Sequence, residues 1–193
     1  MGVEFEMKYR ATPRDVDLIN KEIGGKGVSI AMETAYYDTE KGALSARKYT
    51  LRRRVENGKS VCTLKTPATG IGRNEHEVLC DRIEDAIPEL CKLSGLTELQ
   101  AICEGNLQVV CSARFTRIAK EVEAPGCVVE LALDTGVLQG GGREIPLCEV
   151  EVEHKSGSAQ AMLLYAASLA SRYGLIQETR SKFRRALDLA KGD

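Results

Sequence analysis

The sequence predicts an α+β fold: a closed eight-stranded antiparallel β-barrel with a charged lumen and helices packed on its outside. Three observations carry this. About eight segments alternate charged and apolar residues with the two-residue period of a strand, the loops between them are short, and the helical segments bear apolar stripes that need a sheet face to cover. Short loops mean hairpins and antiparallel pairing, and eight strands suffice to close a sheet around an interior that holds one small ligand.

The elements follow in order. Residues 4–10, EFEMKYR, place Glu4, Glu6, Lys8 and Arg10 on one strand face and Phe5, Met7 and Tyr9 on the other. Thr12 caps a helix with Pro13 at its first position and Asp15 in its first turn; Val16, Ile19 and Ile23 form its stripe, and Gly24-Gly25 ends it. Residues 28–38 read as extended. YTLRRRVE and KSVCTLKT flank Asn57-Gly58, the strongest hairpin signal in the chain. RNEHEVLC, residues 73–80, alternates again. Residues 82–103 favour helix, with Pro88 expected to break or restart it. Residues 107–123 are long and β-branched and end near the turn Ala124-Pro125-Gly126, which leads into CVVELALDTG. Gly140-Gly141-Gly142 precedes REIPLCEVEVEH. Ser158 caps a helix that Gly174 closes, and another follows Ser181; these C-terminal helices, 158–173 and 181–191, are expected to cover or plug the barrel. With no fixed repeat and no low-complexity linker, residues 1–193 read as a single domain.

Composition narrows the function classes. The 27 basic and 28 acidic residues nearly cancel, so no global field draws the chain to nucleic acid or an anionic membrane, and recognition of a charged ligand must be local. No apolar run approaches a membrane span, and the charged N-terminus lacks the apolar core of a signal peptide, so the expected location is the cytoplasm. Seven cysteines, odd in number and without a C-x-x-C pair, read as reduced thiols, and two histidines leave little for transition-metal ligation. A metal here would be a hard cation held by carboxylates.

Parity then organises the charges. Glu4, Glu6, Lys8 and Arg10 share a face, as do Arg52, Arg54 and Glu56, Thr63 and Lys65, Arg73, Glu75 and Glu77, Arg117, Glu121 and Glu123, Glu130 and Asp134, and Glu149, Glu151 and Glu153. The opposite faces of the first strand (Val3, Phe5, Met7), of LRRRVE (Leu51, Val55), of residues 129–133 (Val129, Leu131, Leu133) and of the EVEVE run (Val150, Val152) are apolar apart from Arg53. Alternation alone also suits a barrel with a wet exterior and an apolar cavity. The helices' own stripes tip the reading, because they need the apolar sheet face and leave the charges to line the lumen. Burying so many ions dry would cost more than the ~5–15 kcal/mol net stability of a domain, so the lumen must hold water, metal and an anion. Arg52, Arg54, Lys65 and Arg117, with Lys8 and Arg10, suit phosphate oxygens; the carboxylates suit divalent cations. A polyphosphate satisfies both, which favours phosphoryl transfer, though a non-catalytic polyphosphate-binding module remains open.

E-x-E-x-K at Glu4, Glu6 and Lys8, then YYDT (36–39), LRRR (51–54), TLK (63–65), ELALD (130–134), CEVEVE (148–153) and SK (181–182), in this order over nearly the whole chain, resembles the CYTH superfamily, or triphosphate tunnel metalloenzymes. The resemblance implies an eight-stranded tunnel that acts on triphosphates with Mg²⁺ or Mn²⁺. By similarity, Glu4, Glu6, Glu130, Asp134, Glu149, Glu151 and Glu153 are the candidate metal ligands. The phosphate-binding positions are Lys8, Arg10, Arg52, Arg54, Lys65 and Arg117, with Lys182 on the plugging helix. The catalytic candidates are Glu4, Glu6, Lys8, Arg52, Arg54 and Lys65. Within the EVEVE run the metal-touching acids stay open, as do the roles of Tyr37 and Asp38 and the side on which Arg53 falls. The implied activity is that of an inorganic triphosphatase on tripolyphosphate, with a nucleoside triphosphate as the other substrate class and adenylyl cyclase as the rival reaction. The expected assembly is a monomer or homodimer.

Overall fold

The computed structural model describes residues 2–25, 27–69, 72–104 and 107–192, and of residues 2–4 the backbone alone. Ten strands form one antiparallel sheet: β1 (Gly2–Glu4), β2 (Glu6–Arg10), β3 (Val28–Thr39), β4 (Thr50–Glu56), β5 (Lys59–Pro67), β6 (Arg73–Leu79), β7 (Leu107–Ala124), β8 (Cys127–Gly140), β9 (Arg143–Gly157) and β10 (Ile176–Gln177). Their order is β1-β6-β5-β4-β3-β7-β8-β9-β2-β10. Six helices accompany them: α1 (Pro13–Glu22), α2 (Ala43–Ala46), α3 (Ile83–Ser94), α4 (Glu98–Cys103), α5 (Ala159–Tyr173) and α6 (Lys182–Lys191). None is long and apolar enough to cross a membrane.

The backbone ladders form a large antiparallel sheet and do not by themselves close it into the expected eight-stranded barrel. Among the described residues no ladder joins the first and last strands of the sheet, and the strand segments number ten. The cause lies in the opening strand, which breaks at Phe5. Residues 2–4 pair with β6 and residues 6–10 pair with β9, so a single residue carries the chain between opposite ends of the strand order. The other addition is β10, two residues paired with the end of β2.

The helix ends obey local chemistry. Thr12 and Asp15 form a reciprocal capping box, and Ser158 and Ser181 each accept from a backbone N–H three residues on. Pro88 does not interrupt α3; the helix ends instead at Gly95, whose φ of 71° suits a residue without Cβ. One lost backbone hydrogen bond is a small charge against four buried residues, Ile83, Ala86, Ile87 and Leu90, which hold that segment on the sheet.

Three apolar clusters fix the layers. On one sheet face, Val16 and Ile19 of α1 and Met162, Ala166 and Leu169 of α5 cover Val129, Leu131, Leu133, Val150 and Val152. Helices α3 and α4 cover Leu51, Cys62 and Leu64 with Ile83, Leu90 and Leu99. These helices lie on the apolar face, as expected of the outer cover, whereas α6 lies elsewhere. Phe183, Ala186 and Leu187 pack on Met32, Tyr36, Phe115, Leu138 and Leu147, and Phe115 shares its parity on β7 with Arg117. Thus α6 lies on the charged face. Gly140 permits this approach: a Cβ there would stand 2.2 Å from the Ala186 carbonyl oxygen.

Candidate functional site

Register brings the basic residues into one cavity. Arg52 pairs with Tyr36 and Thr63, Arg54 with Thr34, and Lys65 with Thr50 and Glu75. Pairing is unbroken through Arg53, so this arginine falls on the opposite face, beside Glu33, Val55 and Arg114. The cavity measures about 120 Å³ and is lined by seven basic and two acidic side chains, Glu6 and Glu151. At ~10–15 Å³ per water it has room for several waters or one small anion.

The basic groups are only partly matched from behind. Arg52 donates to Glu75 at 3.0 Å, Lys65 lies 3.3 Å from the same carboxylate, and Arg54 pairs with Glu56. The Nε–H groups of Arg52 and Arg54 are buried and have no acceptor. Burial, and then repulsion from Arg52 and Arg117, pushes the Arg54 guanidinium below its ordinary pKa. A buried donor without an acceptor costs about 1–3 kcal/mol. Arg53 on the opposite face and Arg185 carry the same unmatched Nε–H, so it is the surplus of cations lining the cavity that calls for an anion.

Across the cavity the acids are already matched. Asp134, Glu149 and Glu151 are all buried and each offers an oxygen within 4.8 Å of the others. The Lys182 ammonium sits among them, 2.8 Å from Asp134, 2.6 Å from Glu151 and in contact with Glu149. Arg117 forks onto Asp134 at 2.8 and 2.7 Å and also reaches Glu151, while Arg185 pairs with Glu149. Burial works to lower the Lys182 pKa, but Glu151, Asp134 and Glu149 hold it well above its usual value. Burial likewise works to raise Glu151, yet Lys182 and Arg117 keep it well below the carboxylate range, whereas burial pushes Glu149 up to about 7. Three hard carboxylate donors fit Mg²⁺ or Mn²⁺, and the Lys182 ammonium is a stand-in showing that the centre of the set favours a cation.

The other candidates divide. Glu6, Glu153 and Glu130 stand opposite one another across β2, β9 and β8, apart from the buried trio. Lys8 donates to Glu6 at 2.9 Å, and Lys155 lies 3.1 Å from Glu153 and 3.8 Å from Glu130. The Glu4 side chain lies outside the described residues. Arg10 is exposed, near Glu178, and does not line the cavity. Tyr37 packs in the α3–α4 cluster, and Asp38 accepts from the Leu44 and Ser45 backbone N–H groups at 2.8 and 3.0 Å, a structural cap for α2. Residues outside the sequence-based site set also belong here, among them Tyr36, which lines the cavity beside Arg52; Arg73, the seventh basic residue of its lining; and Arg185. Each had a signal, Tyr36 in the YYDT alternation, Arg73 in its parity with Glu75 and Glu77, and Arg185 in lying one helical turn from Lys182.

Comparison with known proteins bears on the fold and the family. An inorganic triphosphatase of Haemophilus influenzae is 28% identical over 159 residues, 81% of this chain; the chain spans about half, 45%, of that relative's length. A solved structure described as a putative adenylate cyclase from Bacillus halodurans superposes with a TM-score of 0.72 at 20% identity, covering 95% of this chain and 96% of that one. A second, the putative adenylyl cyclase HpAC1 from Hippeastrum, described as having a dominant triphosphatase activity, gives 0.69 at 20% identity over 98% and 96%. Such identities speak for the fold. The CYTH domain matches residues 2–187, and the chain belongs to that family.

Proposed function

We propose that the protein is a divalent-metal-dependent phosphohydrolase that cleaves a linear triphosphate, inorganic tripolyphosphate in preference to nucleoside triphosphates, into diphosphate and phosphate. The observation that carries this is a cavity lined by seven basic side chains, Arg52 and Arg54 among them, beside a buried trio of carboxylates. The triphosphatase relative supports the reaction class.

In this reading the sheet works as a closed tunnel, with Phe5 linking its two ends by chain connectivity. Arg52, Arg54, Lys65 and Arg117 grip the phosphate oxygens and offset charge on the transferred group. Mg²⁺ or Mn²⁺, held by Asp134, Glu149 and Glu151, would supply further charge neutralisation and acidify a water. Glu6, on the cavity wall and hydrogen-bonded by Lys8, accepts the proton of the attacking water as its oxygen bonds the terminal phosphorus. The bridging P–O bond breaks, and diphosphate leaves with the electron pair beside Lys8. Glu130 and Glu153, opposite Glu6, act as an outer acidic row that attracts the cation, and Lys182 completes the basic set.

The test is a parallel assay of tripolyphosphate and ATP with Mg²⁺ and Mn²⁺. Phosphate release from tripolyphosphate without cyclic AMP is expected. Cyclic AMP from ATP would replace this reading with a cyclase, and no turnover with either cation would replace it with a binding module.

A further inference from the structure

Lys182 occupies two places at once: it lines the cavity, and its ammonium fills the centre of the Asp134–Glu149–Glu151 trio. Three carboxyl groups face three cations, Lys182, Arg117 and Arg185, so the set has no spare negative charge. A divalent ion added to that set would leave two positive charges uncompensated in a buried space, where unpaired charge is heavily penalised. Sterics agree. Oxygens that lie within 4.8 Å of one another surround a single cation position, and the Lys182 nitrogen is already at hydrogen-bond distance from the trio.

We propose that Lys182 is the resident cation of the carboxylate trio, that a divalent cation enters only as the Lys182 ammonium leaves, and that an anion in the adjoining cavity becomes the ammonium's new partner. Metal and triphosphate therefore load together, and the metal alone binds weakly. The displaced side chain has a short path, because Lys182 and Glu151 both line the cavity, as does Phe115, whose ring centroid is 5.3 Å from the Lys182 nitrogen. Arg117 stays on Asp134 and Glu151 throughout, held by its fork. This inference rests on the proposed function only in assigning the divalent cation to the three carboxylates.

The experiment uses MnCl₂ alone, without any phosphate, and reads free Mn²⁺ by electron paramagnetic resonance in wild type and Lys182→Met. The methionine variant is expected to bind one Mn²⁺ roughly tenfold or more tightly than wild type, the ordinary scale of a coupling between two ligands. Its thermal stability should rise with Mn²⁺ while that of wild type barely moves. Equal affinity in the two proteins overturns the role of Lys182 and leaves the metal site standing. Absence of Mn²⁺ binding by the methionine variant as well as by wild type overturns the metal site itself. Because the variant leaves three buried carboxylates short of a cation, wild type supplies an independent reading: the ¹⁵N resonance of the Lys182 ammonium, titrated with MgCl₂. It should shift in proportion to bound Mg²⁺ measured by calorimetry; binding without a shift overturns the proposal.

Discussion

The two walls of the cavity solve the same electrostatic problem in opposite ways. On the wall of β8 and β9, Asp134, Glu149 and Glu151 are buried to between 0% and 7% exposure and meet Lys182, Arg117 and Arg185. On the wall of β4 and β5, Arg52 and Arg54 keep buried Nε–H groups without acceptors and crowd one another. Every carboxylate of the first wall has a cationic partner in the protein, although the Arg185 Nε–H is buried without an acceptor. The second, with its surplus of cations, is complete only with a ligand, so its imperfection is the better pointer to function, and the acidic wall is the better pointer to stability.

The largest test of that contrast acts on the acidic wall. Glu151→Ala removes one partner from Lys182 and Arg117 and leaves buried cations short, which costs about 3–5 kcal/mol in chemical denaturation. A loss below ~1 kcal/mol, the range of exposed pairs, would mean that water already screens this wall. On the basic wall the signature inverts. Arg54→Ala should lower kcat/KM for tripolyphosphate by ~10²–10³, the scale for deleting one transition-state donor. Its midpoint of unfolding should fall little or rise, because the variant relieves repulsion from Arg52 and Arg117. Equal damage to folding and turnover in both variants would erase the distinction between the walls.

How α6 reached this face was only half written in the sequence. Alternation put Glu6, Lys8, Arg52, Arg54, Lys65, Arg117 and Glu151 on one side because strand parity is local, and all seven line one cavity. The caps at Thr12, Ser158 and Ser181 were equally local. Parity says nothing about partners across strands, so it merged Glu130 and Glu153 with the buried trio, although register places them beside Glu6. It also said nothing of strand ends: the break at Phe5 depends on two ladders formed by residues distant in sequence. The stripe of α6 suited either sheet face. Phe183 and Leu187 took the charged side because Phe115, Leu138 and Leu147 make an apolar patch within it. Gly140, read from sequence as a loop residue, gives that patch its clearance.

Gly140→Ala sharpens the comparison by moving the acidic wall without touching a charge. The new Cβ, 2.2 Å from the Ala186 carbonyl oxygen, forces α6 away and with it Lys182 and Arg185. Overpacking of this kind costs about 1–3 kcal/mol, to be read in thermal unfolding. The basic wall is untouched, so tripolyphosphate affinity should fall far less than in Arg54→Ala. A larger loss of affinity than in that variant would mean that α6, not the arginines, forms the anion site.

The smallest effect belongs to a cap remote from both walls, and it calibrates the others. In Thr12→Ala, α1 loses the hydroxyl that accepts from the Asp15 N–H and donates to the Asp15 carboxylate, which costs ~1 kcal/mol. The hydroxyl and the Thr12 backbone N–H hold the Asp15 carboxyl below its ordinary pKa. A carboxyl depressed in the folded state contributes stability that is present above its unfolded pKa and fades as the pH falls through the folded one. The difference between wild type and Thr12→Ala should therefore be greatest near neutrality and shrink in acid, with kcat/KM for tripolyphosphate unchanged at neutral pH. A matching loss of turnover would mean that α1, packed on the opposite sheet face, transmits strain through β8 and β9 to the carboxylates, and the two walls could no longer be treated as separable from the scaffold that carries them.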